Sequence, residues 1–359
     1  MKVVFIIGNG FDINLGLATQ YENFYRFYLG LDSSNDSIQV KKLKEHLKND
    51  QDQESRYQYW SDLEIGMGNY TVNFSNVKEL KEAYYDLNDR MQEYMKIIDK
   101  KDLPASINSQ KLIRDLSYPD QYLRPLFKEE IYNFLKKWGT SVYETYIVSF
   151  NYTNVLEKIL KIKENDNMQL SNSRFGNSNT LYPIIHIHGK VDAPLIGLND
   201  KNQIKNELLR ENEEVQECII KPKLNEMLAH LVDVKVDNHI RTANLICIFG
   251  HSLGDTDKLW WNLMGERLKT DCRIIYFAYN PKELLRPSEL NNIRRKYKNL
   301  LLSKTSLTES EKKDASNNEG GNLAASKIRN LECPSYEICL IDYGCGKFNR
   351  KIHIMEQYP

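Results

Sequence analysis

The residues of this chain best placed to do chemistry are two histidines, an asparagine and three glycine turns. His186 and His188 stand two apart in Ile-Ile-His-Ile-His-Gly-Lys, residues 184–190. An imidazole changes protonation near neutrality and suits general acid–base work. Gly189 leaves room beside His188, which is therefore read as the catalytic histidine. His186 is read as a core histidine with a satisfied hydrogen bond, on the same strand face as His188. Asn151 closes the apolar run 146–150, where its amide either holds a water or a ribose hydroxyl or serves as a turn residue. Gly8, Asn9 and Gly10 follow another apolar run, Val3 to Ile7, and open a helix. Such a turn presents backbone N–H groups that suit a phosphate, although the third glycine of the dinucleotide fingerprint is replaced by Ile13. Asp12 would repel a pyrophosphate. Its side chain is expected to bond backward to the helix amides or outward to a ribose hydroxyl. Gly250, His251 and Ser252 end a further apolar run and either contact phosphate or ribose or cap the next helix. Asp255 and Asp257 read as acids favoured at that helix's start.

Five apolar runs, the first of them mostly β-branched, must carry these groups: residues 3–7, 146–150, 182–187, 245–249 and 274–278. Each reads as a strand buried on both faces, the kind found inside a parallel sheet. Each ends in small or polar residues, the last in Asn280-Pro281. In an open parallel sheet the carboxyl ends of the strands share one crevice, so the polar ends are expected to converge there. The expected fold is an α/β, Rossmann-like open parallel sheet with a large all-helical insertion after the first strand. Residues 1–19 with 141–302 form the nucleotide-binding core, and 20–140 the insertion. Within it, residues 77–98 carry a seam spaced by three and four, with Asn76 and Glu79 set as a capping box. Residues 303–325 read as a mobile loop. Residues 326–359 are expected to pack back on the core through edge strands at 336–341 and 352–355.

Charge is balanced, 49 Lys and Arg against 49 Asp and Glu, so nothing steers the whole molecule toward nucleic acid or an anionic membrane. The basic run 294–298 reads as a solvated helix end. No apolar stretch reaches membrane-spanning length and no secretory pattern opens the chain, so a cytoplasmic location is expected. The six cysteines are scattered singly without a C-x-x-C pair, which indicates neither a zinc ribbon nor a redox dithiol.

Residues 5–16, Ser149 to Thr153, His186 to Lys190 and Gly250 to Asp257, with a patch from Trp60 to Glu64, together resemble the AbiH family of bacteriophage abortive-infection proteins. That resemblance implies defence through growth arrest or death of the infected host. A more distant resemblance is to the sirtuin-like NAD-binding fold. It implies that Gly8 and Gly10 meet the pyrophosphate, Asn151 the nicotinamide ribose, and Gly250 to Leu253 with Asn280 the adenosine half, with His188 as the catalytic histidine. Thr153 stands where that pattern has an aspartate, and paired zinc cysteines are missing. The implied reaction is therefore cleavage of the nicotinamide–ribose bond of NAD as substrate, with His188 as base, Asn151 orienting water and ribose, and no metal. Gly8, Asn9, Gly10, Asp12, Gly250, His251, Ser252 and Asn280 would bind the nucleotide. One rival is a metal-dependent phosphoesterase or nuclease using His186, His188, His251, Asp255 and Asp257. Another is a nucleotide sensor without turnover. A dehydrogenase is disfavoured, because no strand ending in an acid follows at the required distance. A phage-derived trigger, a partner defence protein or self-association through the insertion would complete the system.

Overall fold

The computed structural model describes residues 1–51, 60, 62–105, 107–123, 125–227, 231–278, 287–316 and 328–332. Strand β1 (Lys2–Ile7) leads into a five-residue helix α1 (Gly10–Asn14). Among the described residues, six α-helices follow before the next strand: α2 (Tyr21–Gly30), α3 (Ile38–Gln51), α4 (Leu63–Tyr70), α5 (Val77–Asp99), α6 (Ser109–Ser117) and α7 (Pro125–Leu135). The seam expected over 77–98 is α5, packed on α2 and α3. Its cap differs in detail from the expectation. Asn76 accepts from the Glu79 N–H (3.1 Å), while the Glu79 carboxylate accepts from Ser75, one residue earlier (2.8 Å).

The sheet resumes with β2 (Tyr143–Ser149), α8 (Val155–Leu160), β3 (Met168–Gln169), β4 (Asn179–Leu181) and β5 (Ile185–His186). The single strand expected over 182–187 is thus two pieces. Pro183 lies between them, has no N–H for the ladder, and interrupts pairing with β2. A small hairpin, β6 (Gly189–Lys190) and β7 (Ala193–Pro194), leads to helices α9 (Glu207–Arg210), α10 (Glu213–Ile219), α11 (Lys221–Met227) and α12 (Val232–Thr242). Then come β8 (Leu245–Phe249), α13 (Lys258–Leu268), β9 (Arg273–Ala278), α14 (Pro287–Lys304), α15 (Glu309–Ser316) and β10 (Ile328–Glu332). Helix α15 lies inside the stretch 303–325 expected as a loop. There Glu311 accepts from the Thr308 N–H (2.8 Å) and pairs with Lys269, the residue that follows α13 (2.9 Å). Asn280 and the edge strands expected at 336–341 and 352–355 lie outside the described residues.

Among the described residues the main sheet runs β10-β9-β8-β1-β2-β4-β3, with β5 also on β2, and only β3 is antiparallel to its neighbour. Alternation along β1 divides the core. Val3, Phe5 and Ile7 join the helices that precede β2, while Val4 and Ile6 join Trp260, Trp261 and Met264 of α13 and Val236 and Ile240 of α12. Both faces of β1 are buried, which is why it shows no polar alternation. The chain leaves β1 for β2 on one side and returns to β8 on the other. The carboxyl end of β1 is therefore the point where strand order reverses, the place in such sheets where ligands gather. No helix among the described residues is long and apolar enough to cross a membrane.

Candidate active site

The turn after β1 is locked to the loop after β8. The Gly8 N–H donates to Phe249 O (2.9 Å), the Gly10 N–H to Gly250 O (2.8 Å) and the Phe11 N–H to Gly8 O (3.0 Å). These donors, expected to face a phosphate, are spent inside the protein. A Cβ on Gly8 would lie 2.6 Å from Gly250 O and 2.8 Å from His251 Cα, and one on Gly10 would lie 2.6 Å from Gly250 Cα. Neither residue has a positive φ. Glycine is needed at both positions because two backbones touch, not because the chain turns. Asn9 spends its side chain on Thr19, donating to its carbonyl (3.0 Å) and accepting from its hydroxyl.

Beyond this turn, two buried polar clusters sit at the strand ends. The first is built around Asp12. It accepts from Asn151 Nδ2 (3.1 Å) and Thr153 Oγ1 (2.7 Å), so it bonds neither to the helix amides nor outward as expected. Burial pushes its carboxyl up to about 7, against the pull of those two hydrogen bonds. Thr153, the departure from the sirtuin-like pattern, is thus a ligand of this carboxyl. Asn151 has its amide nitrogen committed to Asp12, which leaves Oδ1 buried and without a hydrogen-bond partner among the described residues. His186 completes the cluster, with Nδ1 2.9 Å from Asn151 O and Nε2 2.8 Å from Glu157 Oε1. A carbonyl only accepts. Burial alone would raise the Glu157 carboxyl, but the hydrogen bond and charge of His186, with Lys190, hold it below its usual range. Both ring nitrogens of His186 therefore face oxygen acceptors, and the ring ties the Asn151 backbone to Glu157 of α8.

The second cluster is built around His188. The strand ends at His186, so the expected two-residue alternation does not extend to His188, and its ring has other partners. His188 Nε2 lies 3.2 Å from Asp257 Oδ1 and 3.2 Å from Lys221 Nζ. Lys221 in turn donates to both carboxylate oxygens of Glu64, at 3.0 and 2.8 Å, and Glu64 also accepts from the Gly197 N–H (3.2 Å). Lys221 and Glu64 are each 3% exposed. Burial is the largest influence on both Asp257 and Lys221 and disfavours both charges, yet neighbours reverse it. His188, Lys221 and His251 carry the Asp257 carboxyl well below the usual range, and Glu64, Asp257 and Asp62 hold the Lys221 ammonium above its own. Asp62 caps α4, accepting from the N–H groups of Glu64 and Ile65, and burial with the charge of Glu64 pushes it up to about 6.

Aromatic rings wall this cluster. Phe150 meets His188 and His251 edge-on, at 5.2 and 4.6 Å between ring centres, and stacks on Trp261 at 5.9 Å. Tyr152 lies 6.2 Å from His188, its hydroxyl buried and without a hydrogen-bond partner among the described residues. His251 accepts from the Leu253 N–H at Nδ1 (3.0 Å), and burial pulls its pKa down to about 4, so it is neutral with its hydrogen on Nε2. Ser252 is exposed on the rim.

Convergence at the strand ends is therefore observed for Gly8, Gly10, Asp12, Asn151, His186, His188, Gly250 and His251. Asn151 and His188 belong to different hydrogen-bonded clusters. Asp257, expected to favour a helix start or, in the rival reading, to bind a metal, is the partner of His188, whereas Asp255 is exposed and pairs with Lys304 (2.6 Å). Glu64, Lys221 and Glu157 were not singled out for chemistry. The one hint in the sequence was the Trp60 to Glu64 patch, and Lys221 carried none.

No curated protein matches this sequence. A family model described as bacteriophage abortive infection AbiH matches residues 4–279, which include both clusters, the interlocked glycines and the helices between β1 and β2. The chain belongs to the AbiH family, and its role is bacteriophage abortive infection.

Proposed function

We propose that this AbiH protein acts in abortive infection by hydrolysing the N-glycosidic bond of a nucleotide, with NAD as the substrate. The observation that carries this reading is the His188–Asp257 pair at 3.2 Å, buried among aromatic rings at the end of the sheet where strand order reverses. Asp257 stays anionic and supports the imidazolium that forms when His188 takes a proton. In the reaction His188 removes a proton from water, the water oxygen bonds to the anomeric carbon, and the carbon–nitrogen bond breaks toward the pyridinium. Nicotinamide leaves neutral, and ADP-ribose and one proton are the other products. Charge builds on the sugar as the leaving group departs, and a buried, anion-rich site favours that change.

Asn151 Oδ1, a buried acceptor with no partner, suits a ribose hydroxyl. The fixed Asp12 contact orients it, because the amide nitrogen must face the carboxylate. With the Gly8 and Gly10 N–H groups and the Asn9 side chain occupied, phosphate binding falls to the exposed rim at Ser252 and to the glycine contact as a surface of close approach. Total NAD and free nicotinamide in phage-infected cells test the reading. Cells carrying the wild-type chain should lose NAD and release nicotinamide, and cells carrying His188→Ala should keep NAD. Wild-type cells that arrest on infection with NAD intact would overturn it.

A further inference from the structure

One ring nitrogen of His188 has two neighbours that demand opposite things of it. Asp257 Oδ1 at 3.2 Å is an anionic acceptor and requires a hydrogen on Nε2. Lys221 Nζ, also at 3.2 Å, is an ammonium and requires a lone pair there. A single nitrogen cannot meet both requirements at once. Lys221 is not free to turn away, because Glu64 takes one hydrogen with each carboxylate oxygen and Glu64 is itself held by Gly197. Two of the three ammonium hydrogens are thereby used, and the third is left for His188.

The other groups facing this ring do not decide the matter. His251, from the loop after β8, is neutral with Nδ1 committed to Leu253. Asp233 of α12 interacts with His188 only through charge and accepts from Asn225 (2.7 Å). Phe150 and Tyr152 offer ring surfaces. Since Nε2 is enclosed by Asp257 and Lys221, the nitrogen left to meet a substrate is Nδ1.

We propose that Lys221, anchored by Glu64, and Asp257 compete for Nε2 of His188 and so select which tautomer the ring presents, making Lys221 a positioning residue for the catalytic histidine. When Lys221 donates to Nε2, the ring hydrogen sits on Nδ1 and the histidine offers a donor to the substrate. When Nε2–H donates to Asp257, Nδ1 carries a lone pair and the histidine is a base. Exchange between the two forms moves a proton within the neutral ring and changes no net charge, so the same residue is supplied in either role in a buried site. The catalytic meaning of this switch rests on the hydrolytic reading above. The tautomer selection itself does not.

The test is 15N NMR of histidine-labelled full-length protein, with the His188 signals identified by their loss in His188→Asn. The wild type should show both tautomers in exchange. The double variant Glu64→Gln/Lys221→Met removes the ammonium without leaving the Glu64 carboxylate unpaired, and should shift the ratio toward Nε2–H by about tenfold, since a charged hydrogen bond holding the other form is gone. Asp257→Leu should shift it the opposite way, toward Nδ1–H, and serves alone if the double variant does not fold. A ratio unmoved in either variant overturns the proposal. A shift as expected in a protein that does not cleave NAD would sink the hydrolytic reading and leave the selection standing, because the readout needs no turnover.

Discussion

Replacing Lys221 by methionine removes the ammonium that pairs with Glu64 and leaves a carboxylate 3% exposed, with the Gly197 N–H as its hydrogen-bond donor among the described residues. Breaking a buried pair in this way costs roughly 3–5 kcal/mol, whereas replacing both partners by neutral groups of similar volume is close to neutral. The cost has a ceiling set by pH. An unpaired buried carboxyl escapes by taking a proton, at about 1.4 kcal/mol for each pH unit above the ordinary glutamate value of about 4.3. That limits the loss to about 3.7 kcal/mol at pH 7 and about 1 kcal/mol at pH 5. The sign follows from proton counting. The folded variant binds a proton that the unfolded chain releases, so the penalty grows as pH rises from about 4.3. Equilibrium urea unfolding, followed by tryptophan fluorescence because buried Trp60 lies just before α4, reads both numbers. Lys221→Met should be strongly destabilised at pH 7 and mildly at pH 5, and Glu64→Gln/Lys221→Met should recover most of the loss at pH 7. A single variant within about 0.5 kcal/mol of wild type at pH 7, the level of an ordinary surface change, would refute the buried-pair account.

Three further outcomes follow from the same geometry. Gly10→Ala places a Cβ 2.6 Å from Gly250 Cα and forces the two loops apart, at about 1–3 kcal/mol of overpacking; a lowered thermal midpoint checks it, and an unchanged one contradicts the close contact. Asp12 is raised by burial to about 7 from 3.8, so its burial weakens the fold progressively as pH climbs through that window. Asp12→Asn should therefore flatten the dependence of stability on pH between about 4 and 7 by up to one proton, or about 1.4 kcal/mol per unit, in urea titrations at several pH values. Glu157→Gln takes away the carboxylate that faces His186 Nε2; a loss of about 1.5–3 kcal/mol in urea unfolding and a shift of the His186 Nε2 15N signal are expected.

How far the sequence could be read depended on how local the cause was. Strands β1, β8 and β9 were visible because apolar runs end abruptly, and their burial on both faces follows from a place inside a parallel sheet. Helix α5 was visible because seven apolar residues keep one seam. Pro183 was in plain view, and weighing its missing N–H would have divided the third strand. The clusters were harder. Asp257 fits a helix start by a local argument that says nothing of His188, 69 residues earlier, and Glu64 meets Lys221 across 157 residues. No periodicity encodes such pairs, since each half is an ordinary surface residue until the fold buries it. The role given to the turn glycines also went astray for a physical reason. A glycine needed for φ and a glycine needed for contact look alike in a sequence, and only the loop after β8 tells them apart.

The central claim is that His188, supported by Asp257, performs chemistry on a glycosidic bond. Its most direct test is the release of nicotinamide from NAD by purified full-length protein mixed with extract of phage-infected cells, against the same extract alone. The account predicts release by the wild type, a fall of about a hundredfold or more in His188→Ala, and a clear loss in Asp257→Asn, within the range that a positioned base contributes. Release that is undiminished in His188→Ala, or no release from any form while Asn151→Ala and wild type remain equally folded, would contradict it.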